Sequence, residues 1–355
     1  MNDLIPINSL RFEELERKLT ELGLPRYRAG QIFRWLTLGV TSFDEMTDIG
    51  KDLRAKLAEV FYIEKLEIIT KQESRQDGTI KYLFGLRDGN SIESVLMQYK
   101  HGNSICISTQ AGCKMGCVFC ASFEKGRTRN LTAGEILLQV INAQKDSGRK
   151  ISNIVLMGTG EPLDNYDNVM AFLDLVSHEK GLNIGMRHIS LSTCGLVPRI
   201  YDLAEQKRQL TLSISLHAPN DELRSTLMPV NRRYDVHTLI KACRDYFDKT
   251  GRRISFEYAM IAGVNDTREC ALQLCELLRG FHCHINLIPL NHVEGSPLKP
   301  SKKEDLQAFQ SLLESRHFTV TVRRHLGSDI DASCGQLRRR MVREGLTDHA
   351  NLDHN

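Results

Sequence analysis

Three cysteines stand close together in the stretch GCKMGCVFC: Cys113, Cys117 and Cys120, in the spacing Cys-x3-Cys-x2-Cys. Thiolates are soft ligands, and three of them on one short loop can hold three irons of a [4Fe-4S] cube, leaving the fourth iron open to a bound molecule. A structural zinc site asks for a fourth protein ligand, and no histidine follows at finger-like spacing. Zinc and plain buried thiols stay as alternatives. Ten cysteines in 355 residues, irregularly spaced, do not form a disulfide framework, so metal ligation and redox chemistry are the readings to test.

A second candidate is MGTGEP, Met157 to Pro162, where a glycine-rich turn follows an apolar run. Glycines let backbone approach a ligand closely, and Glu161 offers a carboxylate acceptor beside Gly160. Phe119 reads either as core or as an aromatic packed beside a bound group. Among the other cysteines, Cys194, Cys243, Cys270, Cys275 and Cys283 read as buried thiols packing like small hydrophobes, a reading open to Cys106 as well. Cys334 differs. It lies in SDIDASCGQLRRR, a glycine-bounded loop in which a thiol can be exposed.

The elements needed to carry these residues follow from periodicity. RFEELERKLTELG and PRYRAGQIFRWLTLG have helical spacing and end at Gly23 and Gly39, and SFDEMTDIGKDLRAKLAEVF opens with Ser42 and Glu45 in capping-box spacing. This predicts an all-helical module over residues 1–64, with Trp35 in its core. Residues 65–100 alternate in polarity around the turns QDG and RDG, which predicts three short antiparallel strands. From residue 101 to 318, six β-rich runs alternate with helical stretches. The fold class is therefore α/β: a partial, TIM-like (β/α)6 barrel, with a doubly wound sheet as the alternative. Sites in such folds lie at the C-terminal ends of the strands, where Glu161, Ser192, Ser215, His217 and Asn291 fall. FTVTVRR is the expected last strand, the region 319–342 carries Cys334, and 343–355 reads as a flexible tail.

Net charge is only +3, but arginines cluster at 127/129, 232/233, 252/253, 323/324 and 338–340. Brought together by folding, they would form a phosphate-binding face; taken singly, each pair also reads as solvated surface. Arg26, Arg28 and Arg34 beside glycine turns can grip a nucleic-acid backbone in the same way. The apolar runs are too short to cross a bilayer, and the N-terminus has no secretory pattern, so no membrane association and a cytoplasmic location are expected.

The cysteine spacing resembles that of the radical S-adenosylmethionine superfamily. CISTQAGCKMGCVFCAS, RNLTAGEI, VLMGTGEPLDNYDNV, LSTCGLVP, SLHAPNDELRSTLMPVNRRY, INLIPLN and GSDIDASCGQL together are similar to its family of RNA methyltransferases that act on adenine ring carbons, nearest to the branch acting on C2 in 23S rRNA and tRNA. The resemblance implies a barrel of the radical S-adenosylmethionine type, a [4Fe-4S] cluster on Cys113, Cys117 and Cys120, and S-adenosylmethionine used twice per turnover, as methyl donor and radical source. It places cofactor contacts at Gly160, Glu161, Ser192, Ser215, Leu216, His217 and Asn291. Cys334 would carry the methyl group as S-methylcysteine, Cys106 would resolve a transient protein–RNA adduct with formation of a disulfide bond, and Glu93 would act as proton acceptor. The implied partners are 23S rRNA, tRNA and an electron donor such as flavodoxin or ferredoxin, with the enzyme a monomer. Two other functions share part of this pattern: an adenine-C8 methyltransferase of 23S rRNA conferring antibiotic resistance, and a non-catalytic RNA-binding protein with a structural cluster.

Overall fold

The computed structural model of the protein describes residues 4–100, 102–122, 129–291, 297–324, 326–330 and 337. The chain opens with a two-residue strand, β1 (Ile5–Pro6), followed by α1 (Phe12–Glu21) and α2 (Tyr27–Thr37). Their buried residues, Leu15 and Leu19 in α1, and Ala29, Ile32, Phe33 and Leu36 in α2, form the expected one-sided stripes. Trp35 is half-buried against this core, with its indole N–H on Asp48. The third helix is shorter than its sequence pattern predicts. Glu45 accepts the Ser42 N–H at 3.0 Å, yet the capped segment is a single 3-10 turn, and α3 (Lys51–Ala58) starts only after Gly50. The strand β2 (Phe61–Tyr62) then pairs in parallel with β1, so the module is not all-helical. Two-residue strands are too short to leave an alternation in the sequence.

Next come β3 (Glu67–Glu73), β4 (Ile80–Gly85) and β5 (Ser91–Tyr99), antiparallel as their turns predict. They continue into the main sheet, because β5 pairs antiparallel with β6 (Gly102–Cys106). After β7 (Gln110–Ala111) and β8 (Arg129–Asn130), which pair with each other, the chain alternates: α4 (Ala133–Ser147), β9 (Ile151–Leu156), α5 (Tyr166–Ser177), β10 (Ile189–Thr193), α6 (Val197–Glu205), β11 (Thr211–Ser215), α7 (Asp221–Leu227), α8 (Val236–Thr250), β12 (Ile254–Met260), α9 (Arg268–Leu277), β13 (Cys283–Pro289), α10 (Lys303–Ser315) and β14 (Thr319–Val322). β6 and β9 through β14 are parallel neighbours in chain order, joined by six helical crossovers, which matches the six β/α repeats and final strand expected. Four of the crossover helices are capped by side chains: Thr132, Asn220, Asp235 and Thr267 accept amide hydrogen bonds at the starts of α4, α7, α8 and α9.

The parallel strands alternate sharply. Ile189, Leu191, Leu212, Ile214, Ile254, Phe256, Tyr258, Ile285 and Leu287 are fully buried in one apolar cluster with helix residues such as Ile136, Phe172, Ile200, Leu239 and Leu313. Their neighbours Ser190, Ser192, Thr211, Ser213, Ser215, Ser255, Glu257, His284 and Asn286 face the other way. Met97 of β5 and Arg323, just past β14, line the same cavity, so the sheet curls until its two distant parts approach across a polar lumen. The edges β3 and β14 do not pair, and the barrel stays open.

The N-terminal module is clipped to the barrel's approach by Asn8, which is buried. Its Nδ2 donates to the Glu64 carbonyl at 3.2 Å and its Oδ1 accepts the Glu64 N–H at 2.8 Å. Asn8→Ala leaves both groups of that residue without partners, and urea unfolding is expected to show a loss of about 1–3 kcal/mol. A change within error would mean that solvent reaches Glu64 and the clip contributes nothing.

Candidate active site at the strand ends

Gly112 and Gly116 both have positive φ, 89° and 74°, and turn the chain on either side of Cys113. The loop is tied down at Val118, whose N–H donates to the Leu227 carbonyl at the end of α7 at 3.0 Å. Met115, Cys117 and Phe119 pack on Leu227, Met228 and Ile261. Cys113, Cys117 and Cys120 are half-buried and all line one cavity of about 330 Å³. Burial pushes the Cys113 thiol up to about 11, with Cys120, Glu161 and Asp164 adding repulsion, and raises Cys117 for the same reason together with Cys120 and Cys113. As thiolates the three cysteines would repel one another, and a cationic centre that binds all three relieves that repulsion. Among the described residues no three ligating side chains close around a single metal ion. Three thiol side chains on one loop, all at the wall of one cavity, are a donor set that fits three irons of a cube.

Opposite this loop, the turn after β9 brings Glu161 into the same cavity. Its carboxylate accepts the Cys194 N–H at 2.7 Å and the Leu163 N–H at 3.0 Å, while burial raises its pKa. The glycines of this turn face the protein as well as the cavity. A Cβ on Gly158 would lie 2.6 Å from the Ile107 carbonyl oxygen, and one on Gly160, where φ is 112°, would lie 2.7 Å from the Gln110 Cβ. The glycines thus let the turn pack on the chain after β6, a need that the sequence alone does not separate from ligand approach.

Ser192 and Ser215, at the ends of β10 and β11, approach within 3.4 Å through their hydroxyls and line the cavity together with Asn291 beyond β13. His217 sits in the left-handed region with φ of 57°. Its Nδ1 accepts the Ala259 N–H at 2.9 Å, which leaves the Nε2 of a neutral ring as donor, and its ring packs T-shaped with Phe119, the two centroids 4.7 Å apart. Phe119 therefore packs beside the loop and lines the cavity at once. Leu216 is placed differently: its side chain lies in the apolar core, its N–H donates to the Glu257 carbonyl and its own carbonyl accepts from Arg224.

Cys106, the last residue of β6, is 2 % exposed and lines the cavity among Val95 and Met97. Glu93 lies one diagonal step away, since Val95 pairs with Cys106 and Glu93 shares the face of Val95 on β5. It is not at the cavity wall. Its carboxylate is buried against the fully buried Lys81 ammonium at 2.6 Å. Cys334 lies outside the described residues, so its distance to Cys106 is undescribed, and no disulfide joins any of the described cysteines. The segment before it is anchored, however. Leu326 lines the cavity, the Gly327 N–H donates to Asp77, and Asp329 accepts from the Ser74 hydroxyl at 2.6 Å and the Arg75 N–H at 3.0 Å. The acidic turn ahead of Cys334 is thus docked on the QDG turn between β3 and β4.

Arg224 gave no signal in the sequence. It is completely buried in α7, and its guanidinium donates to the carbonyls of Cys194 at 2.6 Å, Ser215 at 3.1 Å and Leu216 at 3.1 Å, and to Asn231 at 3.0 Å. A buried cation held only by neutral oxygens lies close enough to Cys117 and Cys194 to lower both thiols' pKa values against the larger upward push of burial. It prepares the pocket for negative charge. Of the arginines expected to meet phosphate, Arg129 instead pairs with Asp88 and Glu135, and Arg26 with Glu16; Arg127 and Arg338–Arg340 lie outside the described residues.

Burial, then the nearby Arg224 charge, lowers the His217 pKa from 6.5 to about 3. Between those values the unfolded chain binds a proton that the folded protein does not, so stability rises with pH and is lost as pH falls below 6.5. His217→Gln keeps an acceptor without the titration. Its stability is expected to decline less steeply from pH 6.5 to 4, by up to about 1.4 kcal/mol per pH unit. Parallel pH–stability curves for variant and wild type would show that His217 is not held neutral.

Comparison with known proteins follows the same division of the chain. The radical SAM superfamily model matches residues 107–277, and the model of the ribosomal RNA large subunit methyltransferase N-terminal domain matches residues 5–63. A protein of Desulforamulus reducens described as "Probable dual-specificity RNA methyltransferase RlmN" is 53% identical over 340 residues, spanning 96% of this chain and 97% of the relative. One of the same description from Clostridium perfringens is 54% identical over 332 residues, 93% of this chain and 96% of its own length. The crystal structure of a radical SAM methyltransferase from Sphaerobacter thermophilus superposes with a TM-score of 0.89 at 45% identity, covering 94% of this chain and 98% of that one. It shares the open barrel and N-terminal module, which sets the doubly wound alternative aside. With cysteine loop, Glu161 turn and N-terminal module all in place, the chain belongs to the RlmN family of radical SAM RNA methyltransferases.

Proposed function

We propose that the protein methylates C2 of adenine in 23S rRNA and in tRNA. The observation that carries this reading is the meeting, in one cavity, of the three-cysteine loop, Glu161, Ser192, Asn291 and a separate thiol, Cys106. Cys113, Cys117 and Cys120 would hold a [4Fe-4S] cluster, which together with S-adenosylmethionine would supply radical chemistry, and a second S-adenosylmethionine would supply the methyl group. Glu161, Gly160, Ser192, Ser215, His217 and Asn291 orient the cofactor's polar end, with the Glu161 carboxylate an acceptor for an ammonium and neutral His217 a donor. At Leu216 any contact uses the strand's position, because its side chain is turned into the core.

Cys334 accepts a methyl group on sulfur, five residues past the Asp329 anchor. C2 of adenine is electron-poor and has no acidic hydrogen, so polar transfer to it is unfavourable, whereas a carbon radical formed on the Cys334 methyl can add and leave a thioether to RNA. Loss of the C2 proton, with Glu93 or Cys106 as acceptor, together with transfer of the adduct's unpaired electron back to the oxidised one-electron centre, would rearomatise the ring. The Cys106 thiolate then attacks the Cys334 sulfur; the S–S bond forms as the S–CH2 bond breaks, the base leaves with a methyl group after protonation, and external reductant resets the disulfide. An electron donor of the flavodoxin or ferredoxin type and a monomeric enzyme complete the proposal. Residues 1–64 serve as an RNA-contacting module, 65–100 as the antiparallel extension, 101–318 as the barrel, and 319–342 as the methyl-carrying arm, followed by the tail 343–355. No helix among the described residues is long and apolar enough to cross a membrane.

Nucleoside mass spectrometry of rRNA and tRNA turned over by the reconstituted protein is expected to show 2-methyladenosine; 8-methyladenosine alone would replace the proposed regiochemistry. If no 5'-deoxyadenosine forms with cluster intact, the protein binds RNA without catalysis. The stages separate in variants. Cys117→Ala is expected to lose iron and all turnover. Cys334→Ala keeps iron but takes no methyl label, and Cys106→Ala accumulates labelled protein covalently joined to RNA. Full turnover by Cys106→Ala would remove that residue from the resolving step.

A further inference from the structure

Below the cysteine loop, toward the N-terminal ends of the strands, a second cavity of about 510 Å³ opens. It meets the first at Met97, Met157, Glu257 and Arg323, which line both. Its walls are hydroxyl-bearing: Ser190, Thr211, Ser213 and Ser255 stand on three adjacent strands. Small side chains at these places leave the lumen unfilled, where barrel interiors are ordinarily packed with branched apolar residues. Arg252 and Arg253, ahead of β12, stand at its lower mouth, and Arg323, after β14, stands at the upper end that it shares with the first cavity. Among the described residues none of the three is in an ion pair. The one carboxylate of the wall, Glu257, is held by Ser255 at 3.0 Å and Asn286 at 2.7 Å, and burial raises its pKa.

Two adjacent arginines thus stand at the opening with no ion-pair partner, and a third, Arg323, stands farther in, where its charge acts on Glu257. Guanidinium groups over a wall of hydroxyls match a phosphodiester backbone, and the polar lumen behind them leads up to Cys106, which lines the first cavity beside Met97. A base that is to react must be taken out of its stack and reach a pocket. We propose that the target strand enters here: its phosphates rest on Arg252 and Arg253, and the flipped adenine extends through the lower lumen past Arg323, Met97 and Met157 toward Cys106, meeting the cofactor from the side opposite the cysteine loop. This assignment rests on the RNA-methylating function proposed above.

The test uses the reconstituted full chain and a tRNA transcript that the wild-type protein methylates. Arg252→Gln with Arg253→Gln is expected to weaken tRNA binding at least tenfold at 0.15 M salt. It should also flatten the dependence of log K on log salt by about 0.7 for each single-strand phosphate that the arginines no longer neutralise. Arg252→Lys with Arg253→Lys, which keeps the charge, should stay within threefold of wild type and retain the slope, a rescue that misfolding or poorer packing would not give. Arg199→Gln with Lys241→Gln removes the same charge from the outer helices α6 and α8 and should bind as wild type does. Wild-type affinity and slope in the glutamine pair, or equal weakening in the outer pair, would overturn the entry path. Failure of the wild-type protein to methylate any RNA would instead overturn the function itself.

Discussion

Each central strand has to satisfy two unlike surroundings at a spacing of one residue. Parallel strands covered by helices on both faces read as continuous apolar runs. Here ISLST, TLSIS and ISFEY alternate instead, with isoleucine, leucine, phenylalanine and tyrosine toward the helices and serine, threonine and glutamate toward the lumen. The apolar half supplies the stability, because those side chains are removed from water completely. The polar half, built largely of small hydroxyl side chains, leaves the lumen open. A register slip of one residue would exchange the halves, which pins the strands where the site requires them.

The same constraint explains how charge is placed around the cysteine loop. Cys194 is held from both sides: its N–H by the Glu161 carboxylate, its carbonyl by the Arg224 guanidinium. A buried anion and a buried cation are therefore linked through one residue's backbone without forming a direct ion pair. Each stays satisfied by hydrogen bonds, and each can still act on what enters the cavity. Glu161 can meet a cationic ligand, while Arg224 offsets the negative charge that three thiolates would gather. Glu93 is the contrasting case, its charge matched closely by Lys81. Proton transfer there would alter a buried pair, and this ties any basic role of Glu93 to a rearrangement around Lys81.

Features legible in the sequence depend on short-range patterns. The thiol triad is three cysteines within one short loop, the strands and helices are periodicities, and the Glu161 turn is marked by its own glycines. The order of the parallel strands follows from right-handed crossovers between consecutive repeats. Features that were not legible are contacts between distant segments. Nothing in DELRSTL distinguishes Arg224 from a surface arginine until α7 is folded beneath Cys194 and Ser215. Arg129 reads as a phosphate ligand for the same reason, until Asp88 and Glu135 reach it. The pairing of Ile5–Pro6 with Phe61–Tyr62 and the inward turn of Leu216 likewise exist only in three dimensions.

The antiparallel strands acquire a purpose from what docks on them. β3 and β4 are joined by a turn whose Ser74, Arg75 and Asp77 bind residues 327–329, some 250 positions later in the chain. Closing so long a loop costs entropy that grows only slowly with length, so a few good hydrogen bonds suffice to hold it. The bonds used are of the stronger kind, carboxylates accepting from backbone N–H and a hydroxyl. They fix the base of the segment that continues to Cys334 next to Leu326 and Thr79, both at the cavity wall. The role proposed for Cys334, taking a methyl group at one step and delivering it at another, would call for a fixed point of attachment, and the anchor at Asp329 supplies one.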